Sequence, residues 1–177
     1  LMDLSDAVSR HERGNAILFT RDSPCLSALR SLLESSDRRT VALWGLERAE
    51  RTAEELARRH PEDPRPSVAV ETCSRWCRGE IKMPEAKRAI LDVHAMARDM
   101  RSPADAALCP AVGQGCSCVH TPKHALGLPV YELTAVFLEG GEGRTGAVAW
   151  RATSYLVDLK RIRDAEKDGM QWAPILQ

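Results

Sequence analysis

Apolar positions recur with helical pitch along nearly the whole chain. Ser23-Pro24 joins a capping hydroxyl to a proline suited to the first helical position, and Leu26, Leu29, Leu32 and Leu33 follow at steps of three and four. Asp37 is placed to cap the next helix. There Ala42, Leu46, Ala49, Ala53 and Leu56 share one face, while Glu47, Arg48, Glu50 and Arg51 take the other. That helix is expected to stop near His60, because Pro61, Pro64 and Pro66 lack the amide donor a helix interior needs. Pro66 then opens a third helix carrying Val70, Cys73, Trp76 and Cys77, with Gly79 as its left-handed stop. Pro84 begins a fourth helix with the seam Ala86, Ile90, Val93 and Ala97, and Ser102-Pro103 repeats the cap-plus-proline signal for a fifth.

The stretch from Pro110 to Pro129 is the least regular and predicts kinked or broken helices. Val130 to Leu138 is apolar nearly all round, as a central buried helix would be. Gly140-Gly141-Glu142-Gly143 is a break, and Val148, Ala152, Tyr155, Leu159 and Ile162 mark the last long helix. No stretch alternates apolar and polar residues long enough for a strand. The pattern therefore predicts an all-α, single-domain, multi-helix bundle of about six to seven helices. Residues 1–36 read as an N-terminal arm with a docking helix from Ser23 to Ser35, and residues 37–177 as the bundle.

Composition narrows the setting. With 44% hydrophobic and 28% charged residues the chain has the profile of a folded domain, not a disordered one. Basic and acidic residues balance to zero net charge, and Arg38-Arg39, Arg58-Arg59 and the run from Lys160 to Arg163 are each diluted by acids, which argues against a nucleic-acid partner. No apolar run approaches the roughly 20 residues that span a bilayer. The first residues, Leu1 to Asp6, lack the basic start and apolar stretch of a signal peptide. The six cysteines are then expected to be reduced thiols, and the cytoplasm is the expected address.

The most suggestive chemistry is His120-Thr-Pro-Lys-His124. On a continuous helix the two histidines would share a face, Cys116 would extend the stripe, and His94 from another helix would complete a zinc set. Pro122 stands against that continuity, with Thr121 as cap of a new helix. His94 leans toward the buried seam, and Glu132 sits inside the most apolar helix, where an unpaired carboxylate is costly. His120, His124 and Glu132 are the partners available to His94, and a histidine or arginine would satisfy Glu132. A structural polar network, a small-molecule pocket and a metal site remain open. Cys73 and Cys77 lack a matching second pair, and Gly113-Gln-Gly115 lacks the strand and Lys-Ser/Thr of a phosphate loop. No catalytic residue, cofactor or metal ligand is assigned.

Three stretches resemble a known bacterial family. They are Trp76-Cys-Arg78-Gly79-Glu80-Ile81-Lys82 with His94-Ala95-Met-Ala97-Arg98; Ala42-Leu-Trp44-Gly with Asp63-x-Arg65-Pro66; and Val112-Gly113-Gln114 with His120-x-x-x-His124-Ala125-Leu126-Gly127 and Tyr131-Glu-Leu-Thr-Ala135. Together they span Val41 to Leu138 and are similar to the Imm-5-like putative immunity proteins. The resemblance implies a non-enzymatic inhibitor that binds and neutralises a cognate toxin, and it adds Gln114 to the polar candidates His94, His120, His124 and Glu132. Expected anchors outside the core are Trp150, Trp172 and Arg58-Arg59. The alternatives are a small-molecule or metal-binding helical protein, an enzyme included, centred on the histidine cluster, and a helical subunit whose faces form a homo-oligomer.

Overall fold

Small side chains decide how closely these helices approach. The computed structural model describes residues 2–177, which form eight α-helices with no strand among the described residues. They are α1 (Ser5–Glu12), α2 (Ser27–Glu34), α3 (Arg38–Arg59), α4 (Arg65–Cys77), α5 (Met83–Met96), α6 (Pro103–Ser117), α7 (Gly127–Glu139) and α8 (Arg144–Asp164), joined by short 3-10 turns. α6 is the hub, packed against α3, α4, α5 and α7. It is buried on nearly every side, with Ala107, Ala111, Gly113, Gly115 and Cys116 admitting neighbours at close range. The all-helical fold is as expected, with a count of helices slightly above the predicted six to seven.

Two of the four expected side-chain caps form: Thr121 makes no capping bond, and the Ser23 hydroxyl accepts from the Thr20 amide at 2.8 Å instead. The Asp37 carboxylate accepts from the Thr40 amide at 2.9 Å and starts α3, and the Ser102 hydroxyl accepts from the Asp105 amide at 3.3 Å and starts α6. α3 ends at Arg59, and Gly79 follows α4 with φ +76°. Two differences have clear causes. α6 runs on through Pro110, so the break expected in this region falls later, after Ser117. α1 was not expected: it contributes only Ala7 to the core, too little apolar periodicity to announce a helix.

The N-terminal segment is docked on α7. Leu18 and Phe19 are buried, the Leu18 amide donates to the Thr134 hydroxyl at 3.1 Å, and Phe19 meets Phe137 edge to face. The C-terminal segment folds back onto α3 and α4. The Ala173 amide donates to the Cys77 carbonyl at 2.8 Å, and Arg39 lies over the Trp172 ring at 5.0 Å. Trp172 is thereby buried, which corrects its expected place as an exposed anchor: cation and apolar contacts together hold the indole inside.

The tightest approach is between α3 and α6. A methyl group added to Gly45 would come within 2.6 Å of the Gly115 carbonyl oxygen, and one added to Gly115 would come within 2.6 Å of that of Gly45. Backbone meets backbone here, so neither side can yield by changing a rotamer. Gly45→Ala is expected to lower the free energy of unfolding by about 1–3 kcal/mol or more, through forced separation of the two helices. Urea denaturation checks this, and an unchanged midpoint would contradict the crossing.

Candidate functional site

The histidine cleft is assembled from three elements. Lys87, Ile90, Leu91 and His94 recur along one face of α5, Trp76 comes from α4, and His120, Thr121 and His124 come from the link between α6 and α7. They surround an open cavity of about 320 Å³. The expected single stripe from Cys116 through His120 to His124 is broken. α6 ends at Ser117, the chain turns, and Pro122 opens a short 3-10 segment (Pro122–Leu126). Cys116 is instead buried in the core with a free thiol. Among the described residues no group of three or more His, Cys, Asp or Glu side chains is placed to hold a metal ion.

Each histidine is positioned differently. The His120 ring stacks on Trp76 at 6.1 Å between centroids and 14° between planes, and its backbone carbonyl accepts from Arg38 Nη2 at 2.7 Å. His124 Nδ1 lies 2.8 Å from Gln114 Oε1. With Gln114 oriented this way, Nδ1–H donates and Nε2 keeps its lone pair. The Gln114 amide lies so close to Gly127 that a β-carbon there would overlap it, and the His94 ring covers Gly113 in the same way. Both glycines are therefore spaces reserved for polar side chains. Among the described residues nothing hydrogen-bonds the His94 ring. Burial, then His124, holds His94 below the ordinary histidine range, while burial, then Arg21 and His120, does the same for His124.

Glu132 is not part of this cluster. It lies 1% exposed in an ionic network that ties α3, α7 and α8 together. Arg151 Nη1 and Arg48 Nη2 approach its Oε1 at 2.8 and 3.3 Å, Tyr155 donates to the same oxygen at 2.6 Å, and Thr52 donates to the other. Arg48 also reaches Asp158 at 2.8 Å, and its guanidinium covers the Tyr155 ring at 4.7 Å. Burial pushes the Glu132 carboxyl up, but Arg151, Arg48 and the two hydroxyls outweigh it and keep it below the usual range. Of the two partners open to Glu132 in the sequence, the structure chooses arginine.

Above this network lies a surface that sequence reasoning described in separate pieces. Trp150 is 70% exposed on α8 and shares a groove of about 250 Å³ with Arg51, Glu54 and Arg58 of α3 and with Arg151. Arg58 makes no ion pair among the described residues. Its neighbour Arg59 is committed to Glu55, Asp105 and Glu139, which removes it from the expected anchors. Larger depressions of about 380 and 460 Å³ lie along the C-terminal segment, but their rims carry charges of both signs and point to no one ligand. Cys77 and Cys118 offer no reactive thiol. Burial pushes Cys77 up to about 11 and Cys118 up to about 12, so both stay protonated near neutral pH.

Two outcomes follow. Arg48→Ala removes the cation that buried Glu132 and Asp158 share, leaving Glu132 to Arg151 and Asp158 to the longer contacts of Arg51 and Arg161, and is expected to cost about 3–5 kcal/mol in chemical denaturation, whereas Arg51→Ala, at a half-exposed guanidinium, should cost about 1 kcal/mol or less. Because His94 and His124 titrate lower folded than unfolded, the unfolded chain binds their protons first as pH falls. Their contribution to stability is complete above about pH 6.5 and declines as pH drops from there toward the folded values. Melting temperatures recorded from about pH 7.5 to about pH 5.5 should fall in the native chain and flatten in His94→Gln/His124→Gln.

The model of the Imm-5 like putative immunity protein family matches residues 31–158. No curated protein and no solved structure matches the chain. The family match runs beyond the stretch from Val41 to Leu138 at both ends, taking in the end of α2 and α8 as far as Asp158, and so includes Trp150. Because that match covers well over half of the residues, the chain belongs to the Imm-5 like putative immunity protein family.

Proposed function

We propose that this protein is a non-enzymatic immunity protein that binds a cognate toxin and neutralises it by occlusion, docking through the groove between α3 and α8. The observation that carries this reading is the pairing of Trp150, 70% exposed, with Arg58, which makes no ion pair among the described residues, in one groove. Tryptophan and arginine dominate the energetics of protein interfaces, because each brings a large, stiff contact surface and a directed donor. Left exposed and uncommitted, they are poised to meet an aromatic-accepting pocket beside a carboxylate. The base of the groove is rigid. Arg151, next to Trp150, is held by Glu132, which is in turn fastened to Arg48 on α3. A rigid base reduces the ordering cost of association. Family membership supports the same role. Six unpaired thiols support a reducing compartment such as the cytoplasm as its place of action.

The test is affinity capture from the native host with the full chain, followed by expression of the captured protein alone and together with it. The captured protein should arrest growth alone and be neutralised by stoichiometric native chain. Trp150→Ala and Arg58→Glu, both at exposed positions, should each weaken the complex by about 2 kcal/mol or more, roughly thirtyfold in Kd. A neutralised partner bound equally well by both variants would overturn the assignment of this face. A captured protein without toxicity would overturn the immunity role.

A further inference from the structure

The histidine cleft is independent of the Trp150 groove, and its composition is one-sided. No aspartate or glutamate lines it. The one charged side chain that lines it is Lys87 on α5, and two further cations bond the backbone of the histidine link: Arg38 of α3 at the His120 carbonyl, and Arg21 of the N-terminal segment, which donates to the Lys123 carbonyl at 2.6 Å and acts on His124. Within this rim stand the three imidazoles. Apart from the hydroxyls of Ser117 and Thr121, the other walls are apolar or aromatic: Ile90, the stacked Trp76, and Leu91 and Met83, which are 56% and 45% exposed.

From this juxtaposition we infer that the cleft binds an organic carboxylate with an apolar body, the carboxylate held by Lys87 and the imidazoles of His94 and His124, and the body laid against Ile90, Leu91 and Trp76. Three features favour this ligand over others. An anion meets cations without facing a like charge, whereas an organic cation would find no carboxylate to pair with. The His94 ring has no hydrogen-bond partner among the described residues, and His124 Nε2 is free once Nδ1 is bonded to Gln114, so two ring edges are open to a ligand. The cavity, about 320 Å³, lies at the small end of the range for small-molecule sites, which suits a compact acid or the last residues of a peptide with a free C-terminus.

Gly113 and Gly127 have a purpose in this reading. Gly113 lets the His94 ring lie flush against α6, and Gly127 lets Gln114 reach His124, so both imidazoles are oriented before any ligand arrives. An anion among His94, His120, His124 and Lys87, with Arg21, Arg38 and Lys123 behind the histidine link, stabilises protonated imidazole. Seating the carboxylate is therefore accompanied by proton uptake, and affinity rises as pH falls from about 7.5 toward about 6.

The experiment titrates the full chain, with ¹³C-labelled histidine, against octanoate, 3-phenylpropionate and the peptide acetyl-Leu-Phe with a free C-terminus, each beside its own amide. The expected result is saturable movement of the His94 and His124 ring resonances by at least one carboxylate. Its amide should bind at least about tenfold more weakly, the factor that one charge-assisted hydrogen bond supplies. Lys87→Gln, at an exposed position, should weaken the carboxylate by a similar factor with unchanged melting temperature, and His94→Phe should abolish the preference for acid over amide. Tighter binding of the small acids identifies a free carboxylate as the source, and tighter binding of the peptide identifies a chain terminus. If no carboxylate moves the ring resonances at millimolar concentration, or if amides bind as well as acids, the inference is overturned.

Discussion

The contact on which the rest of the molecule depends is the crossing of α3 and α6 at Gly45 and Gly115. Each glycine lies against the other's backbone carbonyl, so the two helices come closer than any side chain would allow. That closeness buries α6 on all sides and makes it the element on which four other helices pack. Both candidate regions hang from the same crossing. One turn along α3 is Arg48, the centre of the buried ionic network, and immediately before Gly115 on α6 are Gly113 and Gln114, which seat His94 and His124.

The ionic network shows what a core does with charge. Arg48 and Arg151 balance Glu132 and Asp158, and the hydroxyls of Thr52 and Tyr155 occupy acceptor positions on Glu132 that the arginines leave. The one buried side-chain polar atom without a partner among the described residues is Arg48 Nε, and that guanidinium is compensated in part by the Tyr155 ring beneath it. Buried ion pairs are weak sources of net stability, because desolvation cancels most of the attraction. Their directional bonds set the register of three helices, and here that register places Trp150 at the surface beside Arg58. Stability in this protein comes from the continuous apolar cluster that runs from Leu4 to Leu176.

The cleft follows a different logic. Its imidazoles are brought together by a broken helix rather than a continuous one. Had α6 continued through residue 124, Cys116, His120 and His124 would have pointed along one stripe. Cys116, within α6, packs inward, and the turn after Ser117 carries the histidines away from its stripe to the rim. The break thus separates a thiol that packs in the core from imidazoles that face a cavity.

Much of this was legible in the chain. Helical spacing revealed seven of the eight helices, all but α1, and the caps at Asp37 and Ser102, because those signals are local: a cap needs only the next turn, and an amphipathic face needs only its own periodicity. Gln114, His120 and His124 stood out as one polar group. What the tertiary structure alone decided was which distant residues meet. Glu132 required a cation, but whether that was His94 or Arg48 depended on how α3 and α7 pack. Trp150 and Trp172 look alike in sequence, yet one is exposed and the other lies under Arg39, because only the return of the C-terminal segment supplies that cover. Gly45 and Gly115 gave no local signal at all. Their role is to be absent of side chain at a crossing between helices far apart in the chain, and no periodicity within one helix encodes where another will cross it.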